Sequence, residues 1–190
     1  MDIHHQIAQL TKDGWQSRSY TLTTCQAYCL GTLMALPFAA LAGGIYRVFL
    51  LERAVLLDAT GLILLAVAAV SLPLHEGLHG LGWKLAGRLE KGEIKFLFQH
   101  GLPMCACCAV LSAKAYLAGV LLPFLLLGGG SMVFLFLYPG TVSVLAALVN
   151  LLLPGADLLI ACKILRSGAV KIADSTAQAG FTGLCPPCKP

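Results

Sequence analysis

Four long apolar stretches alternate with short polar segments along this chain, and their lengths predict the main elements of its fold. The stretches lie at about residues 27–48, 56–83, 115–137 and 142–164. Each is long enough for a helix to cross a hydrocarbon core of about 30 Å. Between the third and fourth stretches, Tyr138-Pro139-Gly140 is typical of a turn. The pattern therefore predicts four membrane-spanning helices.

The longest interior polar segment, residues 84–114, separates the second stretch from the third. Apolar and polar residues alternate in Glu93-Ile94-Lys95-Phe96, which favours a short strand, and residues 102–109 could form the second strand of a hairpin. An interfacial loop is the alternative. If a strand forms, an extended substrate could add to its edge. The predicted fold class is thus an all-α membrane protein with about four transmembrane helices and a short cytoplasmic β-hairpin or loop.

The composition supports a membrane protein with a single domain over residues 1–190. Hydrophobic residues make up 58% of the chain and charged residues 12%, and the mean hydropathy is +0.82. The net charge of +4 is better explained by membrane topology than by nucleic-acid binding. With four spans, Arg47 and Arg53 lie on one side and the other eleven Lys and Arg residues on the opposite side. By the positive-inside rule, both termini are expected to be cytoplasmic.

The second apolar stretch contains the HExxH motif His75-Glu76-Gly77-Leu78-His79. On a helix, residues four apart lie on the same face, so both imidazoles can bind one metal ion. Glu76 is the only formally charged residue between positions 59 and 83. An ionisable group is costly in a membrane, which suggests that it is functional. The arrangement is typical of zinc hydrolases in which the Glu accepts a proton from water.

A zinc site needs a third protein ligand, and Asp157 is the candidate on the fourth stretch. It is the only formal charge between Lys114 and Lys163. Counted from the basic residues at the cytoplasmic ends of the two antiparallel spans, Asp157 and His79 fall at similar depth. Pro154 removes a helical hydrogen bond to the Asn150 carbonyl, so the backbone can bend there. The alternatives are a capping or ion-pairing role for Asp157. His4, His5 and His100 are further imidazoles without a predicted geometry.

Two CxxC pairs support a different hypothesis. Cys105 and Cys108 form one pair, and Cys185 and Cys188 the other. The four thiols could hold a second, structural zinc ion, or either pair could act in redox chemistry. The alternative functions are therefore a membrane thiol-disulfide or cysteine-zinc protein, or a non-catalytic membrane scaffold. Because residues 1–18 do not have the pattern of a secretory signal, most of the eight cysteines are expected to be reduced.

Taken together, these residues resemble those of the site-2 protease group of intramembrane zinc metalloproteases, which pair an HExxH helix with a later Asp. The chain is similar, more specifically, to a zincin peptidase family of small four-span bacterial membrane proteins, over about residues 60–181. The residues that carry these resemblances are His75, Glu76, His79 and Gly80, Leu111, Ser112, Tyr116 and Pro123, Asn150, Pro154 and 155–159, and Gly180 with Phe181. One departure is Leu158, where site-2 proteases usually have Gly.

The resemblance implies a zinc ion held by His75, His79 and Asp157, with Glu76 as the general base and Asn150 orienting the substrate. It implies hydrolysis of peptide bonds in membrane-associated substrates, within a bacterial cytoplasmic membrane. The expected partners are the lipid bilayer and a membrane protein or peptide, without nucleic acid.

Overall fold

The computed structural model describes residues 3–49, 60–99, 102–175 and 178–187. The helices are α1 (Ile3–Lys12), α2 (Thr24–Phe49), α3 (Thr60–Gly87), α4 (Ala113–Pro123), α5 (Gly129–Leu137), α6 (Thr141–Leu152) and α7 (Gly155–Ser167). The strands are β1 (Gln16–Leu22), β2 (Ile94–Gln99), β3 (Leu102–Cys107), β4 (Val110–Ser112), β5 (Lys171–Asp174) and β6 (Ala179–Cys185). A π-helical turn (Phe124–Gly128) joins α4 to α5.

Four helical segments are long and apolar enough to cross a membrane, which confirms the number predicted from the apolar pattern. They are Thr24–Val48, Thr60–Gly87, Ala113–Leu137 and Thr141–Ser167. Many of their large side chains are exposed, among them Leu33, Leu62 and Leu137. Exposure of side chains this apolar is what a lipid environment requires, so the finding supports an integral membrane protein. That the chain forms one domain stays a prediction.

Between the second and third spans, where the sequence left a hairpin or a loop as alternatives, the structure has a hairpin. Strand β2 pairs with β3 in antiparallel register, and Phe96 lies opposite Cys105. Strand β3 packs against α3. Ile94 and Phe96 of β2 also approach α3, each lying 3.3 Å from a side-chain carbon added at Gly80. Both strands of the hairpin therefore contact the helix that carries the HExxH motif.

The all-α expectation was incomplete, because the chain also forms a four-stranded sheet. Its strand order is β1-β6-β5-β4, and neighbouring strands are antiparallel. Strand β1 comes from the N-terminal segment, for which the sequence predicted no element, and it pairs with β6 near the other end of the chain. This pairing joins segments more than 150 residues apart, so no local pattern revealed it. Tyr20 stacks on Phe181 across the pair, with ring centroids 5.0 Å apart.

Two close helix contacts fix the positions of α3 and α7. A side-chain carbon added at Gly82 of α3 would lie 2.7 Å from the Gly119 Cα of α4. On α7, a carbon added at Gly155 would overlap the Gly31 carbonyl of α2. Glycine at these positions lets the backbones approach closely, as small residues do in membrane helix bundles.

The fourth span is interrupted where the sequence predicted a bend. Helix α6 ends at Leu152 and α7 begins at Gly155, with Pro154 immediately before it. Proline cannot donate the hydrogen bond that would continue the helix. The break places Asp157 in the first turn of a new helix. In contrast, α3 continues through Pro73 without interruption.

Candidate metal centre

Three side chains from two spans converge on one point. His75 Nε2 lies 3.0 Å from His79 Nε2 and 3.0 Å from Asp157 Oδ2, and the distance from His79 Nε2 to Asp157 Oδ2 is 3.4 Å. Both imidazoles are buried. They belong to a buried stripe of α3 with four-residue spacing, which also includes Ser71 and Trp83. The four-residue periodicity of α3 therefore directs both imidazoles toward the interior. The close contact between α7 and α2 positions the Asp157 carboxylate beside them.

A hydrogen bond of His79 shows which of its two ring nitrogens carries a hydrogen and which one faces the cluster. His79 Nδ1 lies 3.0 Å from the Gly119 carbonyl oxygen, which can only accept, so Nδ1 carries the hydrogen. In the neutral imidazole the lone pair is then on Nε2, the atom that faces His75 and Asp157. Metal-binding histidines are typically oriented in this way by a carbonyl or carboxylate on the other ring nitrogen. Trp83 stacks on the ring at a centroid distance of 5.4 Å and limits its rotation.

The donor set fits a zinc ion. Tetrahedral zinc with bonds of about 2.0–2.1 Å needs ligand atoms about 3.3 Å apart, and the three observed separations of 3.0, 3.0 and 3.4 Å lie close to that value. Two imidazoles and one carboxylate are also a donor set typical of catalytic zinc, with a fourth position left for water or substrate. Among the described residues, this is the one group of three or more His, Cys, Asp and Glu side chains that could hold a metal ion.

Glu76 lies beside the cluster, and its carboxylate has a defined orientation. The backbone N–H of Cys105 on β3 donates to Glu76 Oε2 at 2.6 Å. The side chain therefore bridges from α3 to the hairpin instead of joining the ligand group. A carboxylate next to the metal but outside its ligand set is suited to accept a proton.

A cavity of about 340 Å³ gives access to these groups. Its walls come from α2, α3, α4, the region from α6 to α7, β3 and the segment after β5. The polar groups in its lining include His75, Glu76, His79, Tyr116, Asp157, Asp174 and Ser175. The apolar lining includes Leu72, Met104, Val120 and Ile160. A mainly apolar cavity with a few convergent polar groups is typical of a binding or active site.

Sequence reasoning gave no role to Asp174, the last residue of β5. Its Oδ1 accepts hydrogen bonds from the Tyr116 hydroxyl at 2.5 Å and from the Ser175 N–H at 3.0 Å. Its Oδ2 accepts from the Cys107 N–H at 2.9 Å. Burial raises the pKa of this carboxyl group to about 6, although the three hydrogen bonds act in the opposite direction. The signal in the sequence was weak, since an acid at the end of a short strand is ordinary.

Asn150 is buried on α6, but it does not line the cavity. Its Oδ1 has no hydrogen-bond partner among the described residues. The structure therefore does not bring Asn150 together with the metal ligands and Glu76 in one wall, and its substrate-orienting role stays a prediction.

The described members of the two CxxC pairs do not form a ligand group. Cys105 is buried against α3, with its Sγ 3.1 Å from a side-chain carbon added at Gly80, and Cys108 follows the end of β3. Cys185 ends β6, and its thiol lies 3.8 Å from the Gly168 carbonyl. All three are free thiols. Burial raises the pKa of Cys105 to about 12, which disfavours the thiolate that metal binding or redox chemistry needs.

The fourth cysteine, Cys188, and the alternative ligand His100 lie outside the described residues. His4 and His5 are on α1 and are exposed.

Comparison with known proteins identifies one family. The family described as "Putative zincin peptidase" matches residues 68–170, which is more than half of the chain. The matched range contains His75, Glu76, His79 and Asp157 but ends before Asp174. A zincin peptidase family implies zinc as the cofactor. No curated protein and no solved structure matched the chain.

Proposed function

The chain belongs to this zincin peptidase family, and we propose that it is an intramembrane zinc metallopeptidase similar to site-2 proteases. The observation that carries the proposal is the convergence of His75, His79 and Asp157 from two candidate spans, with separations of 3.0–3.4 Å. The proposed substrates are membrane-associated proteins or peptides.

His75, His79 and Asp157 would hold the zinc ion, which when bound acts as a Lewis acid and lowers the pKa of a coordinated water. Glu76 accepts the proton from the attacking water and transfers it to the leaving amine. The hydrogen bond from Cys105 orients the Glu76 carboxylate for this step. Trp83 and the Gly119 carbonyl hold His79 in position.

The proposed substrate enters in an extended conformation, because a peptide bond inside a helix is shielded from attack. The lining of the cavity includes Pro103, Met104 and Cys105 of β3, so the substrate would run alongside the hairpin. The eleven basic residues on one side of the four spans favour cytoplasmic termini and a site near the cytoplasmic surface.

The substitution Glu76→Gln tests the proposal, because glutamine fills the same space and cannot accept a proton in this way. We expect zinc content to be unchanged and cleavage of co-expressed single-span reporter proteins to fall by at least about 100-fold. Elemental analysis and detection of the released reporter fragment give the two readouts. Glu90→Gln is the matched control, because Glu90 is exposed and lies beyond the end of α3. Full cleavage by the Glu76→Gln variant would rule out the mechanism.

A further inference from the structure

Two carboxylates hold strand β3 by alternate backbone N–H groups. The Cys105 N–H donates to Glu76 Oε2 at 2.6 Å, and the Cys107 N–H donates to Asp174 Oδ2 at 2.9 Å. Residues two apart in a strand direct their backbone groups to the same edge. Both N–H groups therefore point away from β2, toward the interior of the site.

The two carboxylates differ in how firmly they are held. Asp174 is paired with Phe181 of β6 within the four-stranded sheet, and its Oδ1 also accepts from Tyr116 and Ser175. Glu76 has the Cys105 N–H as its hydrogen-bond partner among the described residues. Asp174 is thus held in place by several parts of the fold, whereas the orientation of Glu76 depends on its one hydrogen bond. The two carboxylates are connected through Cys105 and Cys107 of β3.

We propose that Asp174 is a positioning residue for Glu76. By holding the Cys107 N–H, Asp174 fixes the edge of β3 where the Cys105 N–H orients the Glu76 carboxylate. The inference rests on the proposed function, because it concerns the base of the peptidase reaction. Asp174 lies outside the matched family range and outside the metal-ligand group.

The same arrangement closes this edge of β3 to strand addition. Pro103, two residues before Cys105, has no N–H to donate, and the next two donors on the edge are taken by Glu76 and Asp174. An extended substrate that pairs with this edge must therefore take the Cys105 N–H from Glu76. The hydrogen bond from the Cys107 N–H to Asp174 keeps β3 in place while the Cys105 N–H changes its acceptor.

Amide exchange tests the connection without any activity measurement. In protein labelled with ¹⁵N-cysteine, we expect Asp174→Ala to speed the hydrogen exchange of both the Cys107 and Cys105 amides by at least about tenfold, as expected when a hydrogen bond to a charged group is lost. Glu76→Ala should speed exchange at Cys105 alone. Asp13→Ala, which removes an exposed carboxylate, is the control. Unchanged exchange at Cys105 in Asp174→Ala would overturn the proposal.

Kinetics on a cleaved reporter peptide then separate positioning from a general structural role. For Asp174→Ala we expect kcat to fall by about tenfold, with KM within about twofold and zinc content unchanged, because the base and not substrate binding is affected. Asp174→Asn keeps an acceptor for the Cys107 N–H and should recover most of the rate, and it also serves if the alanine variant does not fold. Unchanged kcat, or loss of zinc in parallel with activity, would overturn the proposal.

The two proposals can fail separately. If the wild-type protein cleaves nothing, or if cleavage survives Glu76→Gln, the proposed function is wrong. The exchange rates at Cys105 and Cys107 then still decide whether Asp174 controls the hydrogen bond to Glu76.

Discussion

Asp157 and Asp174 are carboxylates in the wall of the same cavity, and they have opposite kinds of partners. Asp157 faces the Nε2 atoms of His75 and His79 and, among the described residues, receives no hydrogen bond from a backbone N–H. Asp174 receives three hydrogen bonds, two of them from backbone N–H groups. The lone pairs of Asp157 are left for a shared cation, whereas those of Asp174 are already used to join parts of the fold.

The difference shows that burial of an acid does not by itself indicate its role. A buried carboxylate must be compensated either by cations or by hydrogen-bond donors. Imidazole nitrogens can coordinate a metal together with a carboxylate, but backbone N–H groups, which supply two of the three hydrogen bonds to Asp174, cannot. The partners of each Asp therefore support the proposed roles of Asp157 as a metal ligand and of Asp174 as a support of β3.

The largest expected effect separates the two residues by zinc affinity. Asp157→Asn replaces a charged ligand by a neutral amide and should weaken zinc binding by at least about 100-fold, since even groups that only orient ligands contribute about 10- to 100-fold. Asp174→Asn should change the affinity by less than about tenfold. Competition with a chromophoric chelator measures both. Equal losses of zinc affinity in the two variants would show that Asp157 and Asp174 do not differ in role, although their partners differ.

The next largest effect is expected from a substitution that displaces Asp157 but keeps its carboxylate. In Gly155→Ala the new methyl group overlaps the Gly31 carbonyl of α2, so α7 must shift. We expect zinc affinity to fall by about tenfold and the protein to lose about 1–3 kcal/mol of stability, as is typical of overpacking. Chelator competition and thermal unfolding in detergent are the measurements.

Gly44→Ala is the matched control for this change, because a carbon added at Gly44 of α2 meets no atom within 4 Å. The control should keep both zinc affinity and stability. If Gly155→Ala binds zinc as tightly as the wild type, the position of Asp157 does not depend on the contact between α2 and α7.

The three side chains of the candidate metal site could be singled out in the sequence because each is unusual in its local context. His75 and His79 have the spacing of one helical face, and Asp157 is a lone charge in an apolar stretch. Alternation indicated a hairpin as one of two alternatives for the segment after α3, and Pro154 indicated the bend before α7. These features depend on neighbours within a few residues.

The remaining features depend on residues far apart in the chain. Strand β1 pairs with β6, and Asp174 reaches Tyr116 and Cys107. Asp174 is an ordinary acid in a short strand, and its partners become visible only once the sheet, the hairpin and α4 are assembled. The proposed support of Glu76 could therefore not be inferred from the sequence, although Glu76 itself stands out there as the lone charge of its apolar stretch.

A smaller effect concerns the pH dependence of stability, which distinguishes the Asp174 carboxyl group from an ordinary exposed one. The pKa of Asp174 is raised to about 6 from the usual 3.8. Between about pH 4 and 6 the folded protein thus holds more protons at this site than the unfolded chain, so the contribution of Asp174 to stability falls as pH rises through this window and is constant above it.

The comparison of wild type with Asp174→Asn isolates this contribution, because the other titrating groups are common to both proteins. The stability of the wild type relative to Asp174→Asn should decrease from pH 4 to pH 6, with an upper limit on the order of 3 kcal/mol. Unfolding measured at several pH values gives the difference. A difference that is independent of pH would mean that the Asp174 carboxyl group keeps its ordinary pKa in the folded protein.

The smallest effect tests whether the hydrogen bonds of Asp174 serve the fold rather than the metal. Tyr116→Phe removes the hydroxyl that donates to Asp174 Oδ1 and keeps the ring that stacks on Trp83. A hydrogen bond to a charged group contributes about 1.5–3 kcal/mol, so we expect a loss of stability in that range with zinc affinity unchanged. Tyr138→Phe is the control, because Tyr138 is exposed at the end of α5. A loss of zinc affinity in Tyr116→Phe without a loss of stability would instead connect Asp174 to the metal site and remove the distinction between the two carboxylates.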